Sequence, residues 1–473
     1  MIWSLAAQWV GTFCLLLWSF WLCCKLRLPA GFGPAAGICF SMVFLQVCGS
    51  MNLLYPGTLL LLIGAAVLAS HRKLHELLDF LFQPGILAFV CGVLMLQLAC
   101  ALHAPQFEVW KEAETWDVFF ESVCTDKAFA LRQSDVGAWA ACPQGLPALY
   151  ALFASLVREY TKADAFFVAH LPLCAALGAL FSFVPPHGRR AMWLARFCAC
   201  VVIPAVLWCS TPLILATASV TDAVVGAVFA AALLATLLPV DAMPHAREVR
   251  GLALGLLAAG CLTVRPVGTL LAGFVLMIWV LQCLLAVAPR SRPLTALTHW
   301  AFWLPAGCAV LPPVLIRLAW TTLLAYRGIV SDLTPLYGQS LPEESASLQA
   351  AVIAAYWDKF RTAPVFPGCT TPVLGALITV LSVLCVALLL RRFGRRLGGQ
   401  LALVPLCMVA FWPVFQLGLL YAALLSSYTM LTVPTAHLPP LLHYAAYTRC
   451  YFIAWGFVLA ASGARLLPRQ RRL

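Results

Sequence analysis

"TLLAGFVLMIWVLQCLLAVA", residues Thr269–Ala288, is a run of apolar side chains without a single charge. At about 1.5 Å per helical residue, twenty such residues measure about 30 Å, the thickness of a bilayer's hydrocarbon core. Arg265 stands before the run, and Arg290 and Arg292 stand behind it. Runs of this kind recur along all 473 residues, of which 63% are hydrophobic and 10% charged. The mean hydropathy is +0.93, whereas soluble domains carry roughly 25% charged residues. No soluble core absorbs so much apolar surface, so the bilayer is the solvent. The fold class read from this is all-α: a polytopic transmembrane helical protein with about 11–13 spans.

Candidate spans are 2–24, 33–48, 52–70, 84–104, 165–184, 191–209, 221–240, 251–264, 269–288, 298–325, 370–390, 400–424 and 449–465. The first run is longer than a signal-peptide core and reads as a retained span. Residues 251–264 and 269–288 are read either as two spans or as one long kinked helix. The net charge of +12 comes from short basic clusters between the spans. These are Lys25 and Arg27, Arg72 and Lys73, Arg189 and Arg190, Arg290 and Arg292, "RRFGRR" at 391–396 and "RQRR" at 469–472. That is the pattern of the positive-inside rule, so topology explains the charge and no nucleic-acid partner is implied. With the clusters in the cytosol, 105–164, 326–369 and 425–448 become outer loops. The run 143–157 would break this alternation as a full span and is read as re-entrant. The chain thus divides into N-terminal spans (1–104), a first luminal loop with a re-entrant segment (105–164) and the remaining membrane core (165–473).

Thirteen of the 18 carboxylates fall in two of these outer loops: Glu108, Glu112, Glu114, Asp117, Glu121, Asp126 and Asp135, with Glu159 and Asp164 at the end of the first, then Asp332, Glu343, Glu344 and Asp358. Solvation on the far face accounts for many of them. Residues 106–122 lack Pro and Gly and are predicted to form a helix. At 100° per residue, Phe107, Trp110, Glu114, Asp117 and Glu121 share one face, with Glu108 and Glu112 roughly opposite. Aromatic rings stack on the CH faces of sugars, and carboxylates accept hydrogen bonds from sugar hydroxyls. A carboxylate here can also act as general base toward a hydroxyl. An amphipathic interface helix with Trp at headgroup depth would need no such chemistry. Cys124 and Cys142 share this polar segment; they form a disulfide in an oxidising lumen or remain buried thiols.

Four further stretches stand out. "CPQGLPALY" (142–150) approaches the membrane irregularly, which is tolerated where backbone lines a polar cavity. "STPLILATASVTDAVVGAVF" (210–229) sets Thr221-Asp222 at a helix start, where capping is a sufficient role. "GCLTVRPVGTLLAGF" (260–274) holds Arg265 between two apolar runs, a costly position for a charge unless it is paired or hydrated. There a guanidinium can grip a phosphate, or it can snorkel to the surface. "AAYWDKFRTAPVFPG" (354–368) gathers Tyr356, Trp357 and charged groups. His437 and His443 lack zinc-ligand spacing, so no metal or cofactor is assigned. No Walker, Rossmann, HExxH or nucleophile-elbow motif occurs.

In this order the segments resemble the multispan (GT-C type) glycosyltransferases that use dolichyl-phosphate sugars, and most of all the second mannosyltransferase family of GPI-anchor assembly. "TWDVFF" and "CPQGLPALY" take the places of that family's Trp-Asp in the first luminal loop and its Pro-rich segment entering the membrane. "STPLILATASVTDAVVGAVF" resembles its Ser-Pro…Ser-Glu helix start, and "TVRPVGTLLAGF" its Arg-containing step before a span. "AAYWDKF" resembles its later Tyr-Trp loop. The chain departs from the pattern at Pro266-Val267, which replace the polar pair after the Arg, and at its C-terminal "LLPRQRRL".

The resemblance implies an inverting mannosyltransferase of the endoplasmic reticulum membrane, with dolichyl-phosphate-mannose as donor and a glycolipid acceptor. Asp117 is then the general base and Arg265 holds the donor phosphate. Trp116, Tyr356 and Trp357 line sugar or lipid, Asp222 orients the acceptor or organises the site, and Glu114 and Glu121 complete the binding face. A small membrane subunit is a further possible partner. A dolichyl-phosphate-glucose glucosyltransferase, a transporter or scramblase, and an inactive subunit of a membrane enzyme are the alternatives.

Overall fold

The computed structural model describes residues 2–103, 111–131, 140–156, 160–183, 189–202, 204–205, 220–238, 245–287, 297–329, 345–366, 368–394, 399–429, 438, 441 and 444–466. Among them the chain is a helical bundle. Its first half comprises α1 (Ile2–Leu26), α2 (Gly33–Ser50), α3 (Leu54–His71), α4 (Leu74–Leu81), α5 (Pro84–His103), α6 (Lys111–Thr125), α7 (Gly145–Ala154), α8 (Lys162–Phe181) and α9 (Arg189–Phe197). Then come α10 (Val220–Leu237), α11 (Ala246–Val264), α12 (Val267–Val287), α13 (Trp300–Tyr326) and α14 (Ser345–Thr362). A two-stranded antiparallel hairpin follows, β1 (Pro364–Phe366) with β2 (Cys369–Thr370). The chain continues with α15 (Thr371–Phe393), α16 (Gly399–Thr429) and α17 (Tyr444–Leu466).

Nine of these helices are long and apolar enough to cross a membrane: α1, α2, α3, α5, α8, α12, α13, α15 and α16. This is a multi-pass, all-α membrane protein. Helices also occupy the other four positions expected as spans. The apolar parts of α9 and α10 are shorter, α11 carries Arg247, Glu248 and Arg250 near its start, and α17 carries Arg449 and Arg465. The stretch 251–288 is two helices, broken at Arg265-Pro266. α7 is entirely buried and ten residues long. That is about 15 Å, half of what a bilayer requires. The outer loop expected at 326–369 contains α14 and the hairpin, so part of it is ordered helix against the bundle, with Val352 and Tyr356 buried.

Contacts between distant helix ends agree with the alternation read from the basic clusters. Ser4 meets Asp164, Lys127 lies over Tyr55, Arg327 meets Asn52, Trp320 meets Ala141, Arg265 lies over Tyr447 and Arg449 meets Val365. Each pair joins two ends that the alternation puts on the outer side. On the other side, Arg196 bonds to Phe82 and Arg465 to Leu237.

The bundle has a protein-facing core and a lipid-facing rim. Of their apolar windows, α8 is 78% buried but α3 and α15 only 28%. Their exposed side chains, such as Leu60, Ile63, Val380 and Val383, are what a lipid environment accepts. Close packing at the centre depends on small residues. In "GLALG", a Cβ on Gly251 would stand 2.4 Å from the Pro305 carbonyl oxygen, and one on Gly255 2.6 Å from that of Ala309. α11 and α13 therefore approach backbone to backbone, as small-xxx-small motifs allow.

Candidate functional site

On α6 the buried face is Trp116, Phe119, Phe120 and Val123. Around the helix, Asp117 lies at the margin of that face and Glu121 one step beyond it. The Asp117 side chain is accordingly 19% exposed, while Glu121 is open to solvent. Both Asp117 oxygens are engaged: the Tyr160 hydroxyl donates to Oδ1, and Lys162 Nζ lies 2.8 Å from Oδ2. Burial, and then the bond to Asp117, push the Tyr160 phenol above its ordinary pKa, so it stays protonated and donates. Trp116 packs edge-on to Phe119 at 5.4 Å, and its indole N–H finds no acceptor among the described residues. Glu114 stands on α6 and Asp222 on α10, but their side chains, like Phe107, Glu108 and Trp110, lie outside what is described.

The partners of Asp117 come from the start of α8, and a second carboxylate fixes that start. Thr161 N-caps α8, accepting from the Asp164 backbone N–H at 3.1 Å. Its hydroxyl donates to Asp164 Oδ2 at 2.6 Å, while Ser4 Oγ and Gln8 Nε2 each donate to Oδ1 at 2.6 Å. Gln97 Nε2 in turn donates to Gln8 Oε1 at 3.0 Å. Asp164 is only 5% exposed. It sits in the first turn of α8, where the helix dipole favours a carboxylate. Tyr160, Lys162 and Asp164 were not singled out from the sequence. The Thr-x-x-Asp spacing at 161–164 is a capping signal that would have marked the last of them.

Arg265 lies in the break between α11 and α12, in extended backbone, and is 2% exposed. The chain turns sharply there: a Cβ on Gly268 would fall 1.9 Å from the Cys261 carbonyl oxygen, so only glycine lets α12 fold back on α11. The guanidinium lies 5.2 Å from the Tyr447 ring centre, within cation–π range. One turn earlier on α17, Tyr444 donates to Gln416 Oε1 at 2.8 Å. Tyr356 donates to the same oxygen at 2.5 Å, and the two phenol rings meet edge-on at 5.5 Å. Burial, then the Tyr444 neighbour, raise the Tyr356 pKa. The start of α17 thus joins Arg265 to Tyr356, whereas Trp357 is 48% exposed on the outer side of Tyr356.

α7 links the two groups. Gly145 at its start is pressed against Thr263, two residues before Arg265, with a would-be Cβ 2.4 Å from the Thr263 side chain. Tyr150, about 8 Å further along the axis, packs edge-on to Phe120 and Tyr160. Arg265 therefore stands by the start of this short buried helix, and Asp117, through Tyr160, by its middle. Cys124 and Cys142 are thiols and not a disulfide. Burial, and then the Asp164 charge, raise the pKa of the Cys124 thiol.

Fold and site together define a multi-pass helical membrane protein in which α7 lies between a carboxylate–tyrosine–lysine group at Asp117 and a buried arginine, Arg265. No protein-family model, curated protein or solved structure matches the chain.

Proposed function

We propose that the protein is a glycosyltransferase of the endoplasmic reticulum membrane that uses a lipid-linked sugar. It moves mannose from dolichyl-phosphate-mannose to a GPI-anchor precursor on the luminal side. The observation that supports this most is that half-buried Asp117 and buried Arg265 both flank α7, Arg265 by its start and Asp117, through Tyr160, by its middle. In this reading the acceptor hydroxyl attacks the anomeric carbon and gives its proton to Asp117. The bond from that carbon to the phosphate oxygen breaks on the opposite face, and its electron pair leaves with dolichyl phosphate. Arg265 balances the charge of the leaving phosphate. Lys162, with a side chain 53% exposed, swings off Oδ2 when the acceptor arrives. Tyr160 keeps Oδ1 and holds the carboxylate in orientation. Tyr356 and Trp357 flank the sugar or lipid.

Cells lacking the protein are expected to accumulate a GPI precursor with one mannose. Wild type restores the later precursors and Asp117→Asn does not. Normal precursors in the deficient cells overturn the reading. Rescue by Asp117→Asn keeps the pathway and removes the base.

A further inference from the structure

Helix α4 has eight residues, too few to cross a bilayer, yet much of its apolar surface is open. It lies at the end of the bundle that the basic clusters assign to the cytosol, where Phe80 packs edge-on to Phe20 of α1 at 5.2 Å. At about 100° per residue, its side chains divide into three sectors. Leu77, Phe80 and Leu81 turn to the bundle and are buried or half-buried. His75, Glu76 and Asp79 form a polar sector. Leu74, Leu78 and the C-cap Phe82 form the third, and all three are exposed, Leu74 by 71%. A surface helix in water has two sectors, one apolar and buried and one polar. α9 has an open apolar side at the same margin: Trp193, Leu194 and Phe197 share it and are exposed, Trp193 by 68%. The Trp193 and Phe197 rings stack at 5.9 Å. Arg196 Nε donates to the Phe82 carbonyl at 3.0 Å, which ties α9 to the end of α4.

Bases surround these open sectors. The ends of α1 and α3, with α4 and α9, carry Lys25, Arg27, Arg72, Lys73 and three arginines against two acids, Glu76 and Asp79. Arg72 is partly committed, to Glu76 at 3.5 Å and to the Phe20 ring at 5.4 Å. Lys25 and Lys73 are exposed, and no carboxylate pairs with either among the described residues. The positive-inside rule accounts for the sign of these charges. It does not call for apolar side chains open beside them on a helix that does not span. Open leucines and rings next to unpaired ammonium groups fit a bilayer surface of negative charge, whose acyl chains cover the first and whose headgroups neutralise the second. We propose that α4 and α9 form a recognition surface for anionic phospholipids of the cytosolic leaflet, of which phosphatidylserine is the probe. Its acyl chains lie over Leu74, Leu78, Phe82, Trp193 and Phe197, and its headgroup meets Lys25 and Lys73. The contact is on the open outside of the protein and requires no cavity. It is independent of the mannosyl-transfer reading, and transfer activity is not its readout.

The test places the full chain in nanodiscs of phosphatidylcholine doped with a lipid whose acyl chain carries a photoactivatable diazirine. The probe is phosphatidylserine in one sample and phosphatidylcholine in the other, and labelled residues are read by peptide mass spectrometry. Both probes should label Leu74, Leu78 and Trp193. Relative to Val380 and Val383 on the lipid-facing rim of α15, phosphatidylserine should exceed phosphatidylcholine there by about fivefold for each lysine that its headgroup meets. Lys73→Gln should remove one such factor and Lys25→Gln/Lys73→Gln both, with labelling of α15 unchanged. Absence of label from Leu74 and Leu78 would show that water or another protein covers them, and overturns the surface. Equal labelling by the two probes overturns the anionic preference, and an undiminished excess in the double variant overturns the role of the lysines. Should the double variant fail to fold, salt decides in wild type: at about 0.5 M the charges are screened within a few ångströms and the excess must shrink. An excess that salt leaves unchanged overturns the proposal.

Discussion

Lys162 holds its ammonium 2.8 Å from Oδ2 of Asp117, while Tyr160, two residues earlier, donates its hydroxyl to Oδ1. One short stretch of chain grips both oxygens of a carboxylate more than forty positions away. The two grips differ in kind. The Lys162 side chain is half in solvent, whereas Tyr160 is buried enough to raise its phenol pKa. The first contact can be displaced by a ligand and the second is built in.

This difference sets an order among three substitutions. Asp117→Asn should lower mannosyl transfer by about two to four orders of magnitude, the usual worth of a general base. Tyr160→Phe should cost roughly tenfold through lost orientation, and Lys162→Met less than that, since an exposed ion pair contributes little. Transfer rates of the purified protein in vesicles with the donor lipid decide it. Equal loss in Lys162→Met and Asp117→Asn would show that the lysine is indispensable.

Arg265→Lys keeps the charge but loses the planar fork and its stacking on Tyr447. We expect at least about a tenfold loss of transfer, the equivalent of roughly 1.4 kcal/mol. Arg265→Leu should abolish transfer altogether. Wild-type rates in Arg265→Lys would remove the phosphate role.

Asp164→Ala leaves the Ser4, Gln8 and Thr161 donors without their acceptor. The fold should lose about 2–4 kcal/mol, seen as a lower melting temperature in detergent. Asp164→Asn should lose less, because an amide oxygen still accepts. An unchanged melting temperature in Asp164→Ala would mean that the network adds nothing.

The raised phenol of Tyr160 gives a pH dependence with a definite sign. The folded state holds this proton more tightly than the unfolded chain, whose tyrosine titrates near 10.0. Its contribution is therefore complete below about pH 10 and is lost as pH rises through the higher folded value. Tyr160→Phe has nothing to titrate. Wild type and Tyr160→Phe, melted in parallel from pH 8 to pH 11, should differ most at the low end. A constant difference across that range would contradict the assignment.

A methyl group at Gly268 has no room beside the Cys261 carbonyl oxygen. Gly268→Ala should therefore disturb the turn that presents Arg265, and fluorescence-detected size exclusion should show less monodisperse protein.

The spans were legible because a bilayer imposes one rule, a run of about twenty apolar residues, that local sequence obeys by itself. The break at Arg265 was marked by Pro266, and the short α7 by Pro143, Gly145 and Pro147. The site was less legible. Helical spacing grouped Glu114, Asp117 and Glu121, yet it could not say where the buried face ends, so it did not separate half-buried Asp117 from exposed Glu121. That margin is set by Tyr150, Tyr160 and Lys162, which come from other parts of the chain. Asp164 read as one more outer-loop acid because its donors, Ser4 and Gln8, belong to the first helix. Gln416 carried no signal at all, since it is ordinary until α14, α16 and α17 meet.

The bond between Gln8 and Asp164 also bears on the order of synthesis. A ribosome makes α1 first, and its carboxylate partner follows 156 residues later. At about 5–20 residues per second, that interval is roughly 8–30 s. Gln97 arrives earlier and engages only the carbonyl of Gln8. Throughout the wait the amide of Gln8 sits in a nascent membrane helix without its acceptor, so α1 reaches its final seat only when α8 is threaded in beside it.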